Sequence, residues 1–263
     1  MNCSYPEDGH NRYFAIEDDS FWFRHRNNTI ITAIKNFPPV GFILDVGGAN
    51  GFVTLGLNEH GFESILLEPS INGVQNAKKR GLKPIICSTL ADAGFKNNTI
   101  PAIGLFDVLE HIENEIDFLK ELKRILFADG RLYITVPSCG FLWSQEDEYA
   151  GHFRRYSMSR LKKILNESGF SIDFSTYFFS TLLFPLFFAR TLPCKLGLTK
   201  PSTNESTQRE NVLKSKFLKT IVDLYNKVEL QIIKLKVPIP IGSSLLIVAH
   251  SKGQSNEHDE NSL

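Results

Sequence analysis

A glycine-rich turn between an apolar run and a helix is the clearest candidate for a ligand site. The turn reads Asp45-Val46-Gly47-Gly48-Ala49-Asn50-Gly51. Glycines let the backbone approach a ligand closely, and the start of the helix offers unpaired N–H groups. A dinucleotide fingerprint needs glycines at positions i, i+2 and i+5, and neither Gly47 nor Gly48 starts such a series. The turn therefore predicts a ligand site without the pattern of a hydride-transfer enzyme.

Two further groups of side chains have types suited to proton transfer or metal binding. Asp107, Glu110 and His111 are spaced i, i+3 and i+4, so a helix would place all three on one face. The second group is Gly151-His152-Phe153-Arg154-Arg155-Tyr156. There, His152 would act as a base, and Arg154 or Arg155 would bind an anionic substrate group. The alternative for this group is a loop held by Arg–Glu ion pairs.

The elements that must position these residues follow from the apolar pattern. Strands are expected at 42–47, 64–68, 84–88, 102–108, 131–136, 170–174 and 243–250. Helices are expected from Ser20 to Phe37, near 50–60, 71–80, 114–127 (closed by Asp129-Gly130) and at 158–168. Near-continuous apolar strands with helical connections predict a parallel sheet covered on both faces. The fold class is α/β, with a helical insert before the last strand.

The turn and the strand ends resemble motifs of class I S-adenosylmethionine (SAM) methyltransferases. The turn is similar to the motif D-x-G-x-G-x-G, with Ala49 in place of the middle glycine. Glu68 stands where that family has the acidic residue that binds both ribose hydroxyls. Residues 104–111 and 129–137 resemble the fourth and fifth strands of the type 11 and type 12 subgroup. The resemblance covers roughly residues 17–175 plus the last strand. It implies a Rossmann-like, seven-stranded, mostly parallel sheet with SAM as cofactor.

Site residues are assigned from this resemblance. Those expected to bind the cofactor are Asp45, Gly47, Gly48, Ala49, Gly51, Glu68, Thr89, Leu90, Phe106 and Asp107. Thr89 and Leu90 stand where the family often has an aspartate for the adenine amine. Adenine recognition is therefore expected to rest on backbone and apolar contacts, with Asp92 as the alternative acid. The expected catalytic residues are His152, Arg155 and His111, and the subgroup shares the G-H-x-R-R-Y box of the first two.

The group at residues 107–111 also resembles the E-x-x-E-H of the ubiquinone-biosynthesis O-methyltransferases, which binds a divalent cation there. In this chain the first acid is the shorter Asp107. Many metal-free relatives contain the same L-E-H, with the glutamate and histidine fixing local structure, so no metal is assigned from the sequence. The expected reaction is methyl transfer from SAM to an oxygen of a small or lipid-like acceptor. The alternative is a non-catalytic, membrane-associated SAM-binding protein on the same fold.

The composition excludes some classes of partner. Lys plus Arg and Asp plus Glu both number 29, so the zero net charge argues against a nucleic-acid partner. Four widely spaced cysteines without a CxxC pair favour a reducing compartment. The sequence shows no signal-peptide core and no apolar run of the roughly 20 residues that span a bilayer. The expected location is the cytoplasm, and the oligomeric state stays open.

Domain boundaries follow from the same patterns. A flexible arm (1–16), the SAM-binding domain (17–176 and 241–250), an insert (177–240) and a disordered tail (251–263) are expected. The insert has a net charge of +6, an apolar run and a basic amphipathic helix at 212–236. These features fit binding of 177–236 to an anionic surface at the inner face of the membrane. A lid over a hydrophobic acceptor, a dimer interface and a helical pair packed on the sheet edge are the alternatives.

Two aromatic segments have open interpretations. Phe21-Trp22-Phe23-Arg24-His25-Arg26 is expected to pack on the sheet, with a lid over the cofactor as the alternative. The insert is expected to add apolar insertion into the membrane through Phe178, Phe179, Leu182, Leu183, Phe184, Phe187 and Phe188. If these side chains face the sheet instead, they belong to the core and bind no membrane.

Overall fold

The strands form a seven-stranded sheet within residues 7–197 and 216–252, the parts of the chain that the computed structural model describes. They are β1 Ile43–Val46, β2 Ser64–Leu67, β3 Ile85–Ile86, β4 Ile100–Phe106, β5 Leu126–Pro137, β6 Phe170–Phe178 and β7 Ser244–Ser251. Their order is β3-β2-β1-β4-β5-β7-β6. β7 is antiparallel to β5 and β6, and the other neighbours are parallel. The predicted α/β fold is confirmed.

Helices cover both faces of the sheet. They are α1 Glu7–Phe14, α2 Phe21–Asn36, α3 Phe52–Glu59, α4 Ile71–Lys79, α5 Glu115–Ile125, α6 Gln145–Ala150, α7 Met158–Glu167, α8 Leu183–Leu186, α9 Leu192–Lys195 and α10 Lys216–Lys234. A π-helical turn joins α8 to α9, and 3-10 turns lie at Leu109–His111 and Gly140–Leu142. Leu44 packs in the cluster that contains α5 and α7, whereas Ile43 packs with α2 and α10. Neighbouring side chains of β1 therefore face opposite layers.

Local sequence explains several boundaries. Ser20 caps α2, because its hydroxyl accepts the Phe23 N–H at 3.4 Å. Two prolines follow the end of that helix at residues 38 and 39. All seven residues of β4 are buried, which matches the continuous apolar run of a central parallel strand.

The boundary between α5 and β5 differs from the prediction. The helix ends at Ile125, and Leu126 already pairs with Ile100 of β4. Burial of Leu126 against this strand outweighs the helical pattern. The next pair after Ile100 and Leu126 is Ala102 and Arg131, so β5 has more residues between the two pairs than β4 has. The predicted Asp129-Gly130 turn therefore forms an irregularity inside β5 and does not close the helix.

The N-terminal segment also differs from the expected loose arm. Residues 7–14 form α1, which packs on α4. The Asn76 amide donates to Asn11 Oδ1 at 3.0 Å, and the Asn50 amide donates to the His10 carbonyl at 2.8 Å. Residues 1–6 and 253–263, which include parts of the expected arm and tail, lie outside the described residues.

Part of the apolar run of the insert belongs to the core. β6 continues to Phe178, and the side chains of Phe178, Phe179 and Leu183 are at most 6% exposed. The expectation that these three insert into a membrane is therefore wrong, while Phe188 is 62% exposed. The start of the expected helix 212–236 falls in residues 198–215, outside the described residues. In the described ranges, no helix is both long and apolar enough to cross a membrane.

A buried carboxylate attaches α10 to the rest of the protein. Glu229 lies 2.6 Å from His25 Nε2 and accepts hydrogen bonds from the Phe179 N–H, the Ser180 N–H and the Ser180 hydroxyl. Burial opposes ionisation of Glu229, but the hydrogen bonds from His25 and Ser180 outweigh it and hold its pKa below the usual range. One side chain thus joins α10 to α2 and to the segment after β6.

We expect Glu229→Ala to lower the free energy of unfolding by about 3 kcal/mol, because it leaves buried donors without an acceptor. Urea unfolding followed by circular dichroism measures this. Lys227→Ala, an exposed site on the same helix, should change the value by less than about 0.5 kcal/mol. Equal stability of the two variants would contradict the anchoring role of Glu229.

Candidate active site

The glycine turn after β1 forms a tight loop that side chains would obstruct. Gly47 and Gly51 have φ of 71° and 72°, and Ala49 has φ 48°, all in the left-handed region. A Cβ on Gly48 would lie 2.5 Å from Asp45 Oδ2, and one on Gly51 would lie 2.3 Å from Leu82 Cδ1. The loop therefore presents bare backbone to the space beside it. Ala49 accepts a conformation that glycine adopts more easily.

Asp45 lies beneath this loop and is completely buried. The Thr54 hydroxyl, from α3, donates to Asp45 Oδ2 at 2.6 Å, while Oδ1 has no hydrogen-bond partner among the described residues. Burial raises the pKa of Asp45 to about 6. Asp45 therefore joins β1 to the start of α3 and keeps one acceptor oxygen for a ligand.

Glu68 follows β2 and is only 4% exposed. The Ala49 N–H donates to Oε2 and the Ser70 N–H donates to Oε1, both at 2.8 Å. Burial raises the pKa of Glu68 to about 7, against the lowering effect of these two N–H groups. Each carboxylate oxygen can accept a further bond, so Glu68 is suited to a pair of ribose hydroxyls.

A cavity of about 850 Å³ connects these residues with the other predicted site residues. Its lining includes Asp45, Gly47, Gly48, Ala49, Glu68, Thr89, Leu90, Phe106, Asp107, His111, His152 and Arg155. Gly51 supports the loop as the cap of α3 without lining the cavity. The volume is within the range of cofactor and substrate sites, and the carboxyl ends of parallel strands are their usual place.

The Thr89 hydroxyl is already engaged at this cavity. It donates to Asp92 Oδ2 at 2.6 Å, and Asp92 itself does not line the cavity. Leu90 is buried and belongs to the apolar core. This wall therefore offers an adenine ring backbone and apolar surface, and Asp92 acts on Thr89.

Asp107 interacts with Arg26, a residue that the sequence analysis placed on a packing helix. Arg26 Nη1 donates to Asp107 Oδ2, and the Thr135 hydroxyl donates to Oδ1 at 3.0 Å. The guanidinium also lies 5.1 Å from the Trp22 ring and 5.3 Å from the Phe23 ring. Phe23 is buried, and it lines the cavity together with Phe21, Trp22 and Arg26. This segment of α2 therefore both packs on the domain and forms one wall of the site.

Glu110, His111 and His152 lie close together and line the same cavity. The rings of His111 and His152 are edge to face, with centroids 4.8 Å apart, and His152 Nε2 lies 4.0 Å from Glu110 Oε1. Burial, with Asp107 and Asp147 adding repulsion, raises the pKa of Glu110 well above its usual value. Burial and the adjacent His152 lower the pKa of His111 to about 3. We refer to these three residues as the polar cluster.

The two arginines of the Gly151–Tyr156 loop are held by acids. Arg155 Nε and Nη2 donate to the two oxygens of Asp147 at 2.8 and 2.9 Å, and His152 Nδ1 lies 2.8 Å from the same carboxylate. Arg154 pairs with Glu115 at 2.9 Å. The loop is thus held by ion pairs, the alternative considered for it. Arg155 still lines the cavity but acts on Asp147, so the prediction of a free anion site is not supported for either arginine.

The structure adds lining residues that local patterns did not reveal. They include His10, Tyr13 and Glu17 near α1, Arg26 on α2, and Leu182, Pro185 and Leu186 after β6. The FWFRHR segment was a partial signal for Arg26. The others carry no motif, since only tertiary packing brings them to the cavity.

Comparisons with known proteins identify the class. A family model described as a methyltransferase domain matches residues 22–173. A curated relative, an uncharacterized protein of Methanocaldococcus jannaschii, is 32% identical over 105 residues, which are 40% of this chain. This chain spans 44% of that relative's length.

Two solved structures share the fold at low identity. A chain of the Haloferax volcanii complex between the Trm112 methyltransferase activator and a methyltransferase has 14% identity and a TM-score of 0.60. A SAM-dependent methyltransferase of Thermotoga maritima has 16% identity and a TM-score of 0.58. Each match covers 94% of this chain and 95% of the other.

The family match and the sheet order identify a methyltransferase domain, for which the sequence resemblance predicts SAM as the cofactor. The chain belongs to the methyltransferase-domain family. The residues present fit this cofactor, because the side-chain-free loop, the half-used Glu68 carboxylate and the unpartnered Asp45 Oδ1 all border one cavity.

We expect Glu68→Ala to weaken SAM binding by about 2–3 kcal/mol, roughly 30- to 150-fold, because charge-assisted hydrogen bonds to the ribose are lost. Wild type should bind SAM in the low-micromolar range in isothermal titration calorimetry, and NADH more weakly. Glu68→Gln, which keeps one acceptor oxygen, should lie between the two. Equal SAM affinity of wild type and Glu68→Ala would contradict the assignment.

Proposed function

We propose that this chain transfers a methyl group from SAM to an oxygen of a small or lipid-like acceptor. One observation carries the proposal: the loop–Glu68 end and the polar cluster border the same cavity. When bound, SAM supplies an electrophilic methyl group on a sulfonium. The chain's own residues must then position an acceptor oxygen, take its proton and keep water away.

His152 is the residue best arranged to take that proton. Its Nδ1 hydrogen-bonds Asp147, which leaves Nε2 directed towards Glu110 and the cavity. Although burial opposes ionisation, hydrogen bonds from His152 and Arg155 hold the pKa of Asp147 at about 2. An ionised Asp147 stabilises the imidazolium that forms when Nε2 accepts a proton. Arg155 is then a positioning residue, which keeps Asp147 in place.

Apolar side chains form another part of the cavity lining. Trp22 from α2 and Leu182, Pro185 and Leu186 from the insert all line the cavity. Such a wall favours an acceptor whose hydroxyl belongs to an apolar body. This supports an acceptor oxygen on an aromatic, alkyl or lipid-like molecule, and it gives the insert the role of a lid.

A labelling experiment separates this function from a non-catalytic SAM-binding protein. Purified protein is incubated with methyl-deuterated SAM and an organic extract of the source organism, and products are analysed by tandem mass spectrometry. We expect a deuterated methyl group on an oxygen of an apolar compound. A label on nitrogen or carbon contradicts the acceptor. SAM binding without any labelled product favours the non-catalytic alternative.

We expect His152→Gln to lower kcat for that acceptor by about 10²- to 10⁴-fold, as loss of a general base does. The Kd for SAM should change less than about threefold, because Glu68 and the loop are untouched. His60→Gln, at an exposed histidine, is the matched control. Wild-type turnover in His152→Gln would exclude His152 as the base. Arg155→Lys and His111→Gln test the other two predicted residues in the same assay.

The proposal extends to an anionic membrane surface at the inner face of the cytoplasmic membrane. One side of α10 and its C-terminal extension exposes an apolar ridge at helical spacing, formed by Ile221, Leu224, Tyr225, Val228 and Leu235. Exposed Lys227 and Lys234 flank it, and the insert carries a net charge of +6. The apolar face suits the hydrocarbon of a bilayer, and the lysines that border it suit anionic lipid headgroups. The Tyr225 hydroxyl lies 3.4 Å from the Ser180 hydroxyl, near cavity-lining Leu182.

We expect the full-length protein to co-sediment with vesicles that contain phosphatidylserine, and less with neutral ones. Lys227→Glu with Lys234→Glu should weaken binding mainly at low salt, because each charge contributes about 1 kcal/mol near the surface. Leu224→Ser with Val228→Ser should weaken it at every salt concentration. Val40→Ser, at an apolar side chain 90% exposed elsewhere, is the control.

Equal sedimentation of all these variants would contradict the membrane proposal. The ridge would instead be a dimer interface if three results are found together. The mass of the wild-type protein in light scattering rises with concentration, the Leu224→Ser and Val228→Ser double variant loses this rise, and the protein does not bind vesicles.

A further inference from the structure

Glu110 lacks the compensation that the neighbouring acids have. It is 1% exposed, and neither carboxylate oxygen has a hydrogen-bond partner among the described residues. Asp107 has Arg26 and Thr135, and Asp147 has Arg155 and His152. A buried acid of this kind is costly unless a cation or a proton satisfies it. Because Glu110 lines the cavity, a partner can reach it from there.

Two imidazole rings stand beside this carboxylate. Glu110, His111 and His152 each offer one ligand atom, and these atoms lie within 4.8 Å of one another. Atoms that share one ion at bond lengths of 2.0–2.2 Å lie about 3–4 Å apart. Side-chain movements of about 1 Å therefore bring the three together, and the 4.0 Å between His152 Nε2 and Glu110 Oε1 is already at that limit.

Both rings are oriented from behind, as metal-binding histidines usually are. Asp147 holds Nδ1 of His152 at 2.8 Å, and Arg155 holds Asp147 in turn. The backbone at Ala150 and Gly151 hydrogen-bonds the ring of His111. A carboxylate or backbone carbonyl that fixes one nitrogen leaves the other to bind a metal ion.

We infer that Glu110, His111 and His152 form a binding site for one divalent transition-metal ion, with Zn²⁺ the best match. Two imidazoles and one carboxylate suit zinc, whereas Mg²⁺ and Ca²⁺ prefer oxygen ligands. The set differs from the Asp107, Glu110 and His111 spacing in the sequence, because Asp107 is engaged by Arg26 and Thr135. Three protein ligands leave the ion a further position, open to the cavity.

This inference goes beyond the proposed function. It makes His152 a metal ligand, and this role excludes the role of general base. A nitrogen that binds the ion cannot accept the proton of the acceptor. The ion would then bind the acceptor oxygen and lower the pKa of its hydroxyl, so that the hydroxyl proton would pass to solvent water and not to His152. A protonated Glu110 is the competing account, and it requires no ion. Cation binding is measured without SAM or acceptor, so its failure leaves the proposed function, with His152 as base, intact.

The test uses the full chain, stripped with EDTA. Co²⁺ is titrated and followed by its visible absorption, which reports the coordinating ligands, and Zn²⁺ and Mg²⁺ are then added as competitors. We expect one Co²⁺ per chain, displaced by one Zn²⁺ and not by Mg²⁺. Glu110→Gln and His152→Gln should each weaken binding by at least about 100-fold, and Asp147→Asn by about 10- to 100-fold. His60→Gln should behave as wild type.

Three results would overturn the inference. They are no saturable binding to wild type, equal affinity in wild type and both ligand variants, or displacement by Mg²⁺ as readily as by Zn²⁺. Binding that survives both variants but is lost in Cys87→Ser belongs to an exposed thiol and also overturns it. Thermal unfolding checks that each variant folds, and His152→Gln decides the matter if Glu110→Gln does not fold.

Discussion

Burial of carboxylates at the carboxyl ends of the parallel strands is the constraint on which the site depends. Asp45 lies in β1, whereas Glu68 and Asp107 follow β2 and β4. Asp45 and Glu68 are buried, Asp107 is half-buried, and each takes donors from another part of the chain. Thr54 comes from α3, the Ala49 N–H from the glycine loop and Arg26 from α2. An uncompensated charge away from water costs several kcal/mol, so these bonds determine where the two helices and the loop lie.

The two ends of the cavity satisfy this constraint to different degrees. At the cofactor end, both oxygens of Glu68 have backbone donors, so this carboxylate is held in place before a ligand arrives. At the other end, Asp147 is well supplied with donors, but Glu110 beside it has none among the described residues. The site is therefore preorganised for the cofactor, whereas Glu110, the acid without donors, lies where the acceptor would react.

The sequence predicted those parts of the structure that depend on local patterns. Apolar runs located the central strands, and the residues after them placed Asp45, Glu68 and Asp107 at one edge of the sheet. Arg26 was missed as a site residue because the apolar stripe of a helix does not show which residues the polar side chains of that helix contact. The contact between His111 and His152 crosses 41 positions of sequence and has no local signal. The end of α5 was misplaced because pairing of Leu126 with β4 outweighs helical periodicity.

Part of the cavity lies outside the segment that matches the family model, and this has a consequence for specificity. The family match ends at residue 173, whereas Leu182, Pro185 and Leu186 form their wall of the cavity beyond it. Glu229 holds this wall by accepting the N–H groups of Phe179 and Ser180, and it also contacts His25 of α2. The insert therefore shapes part of the cavity, and the hydrogen bonds of Glu229 are among the contacts that attach it to the rest of the domain. Changes in the insert can therefore alter this part of the cavity without disturbing Glu68 or the glycine loop. Among the described residues, no hydrogen bond joins the insert to either of them.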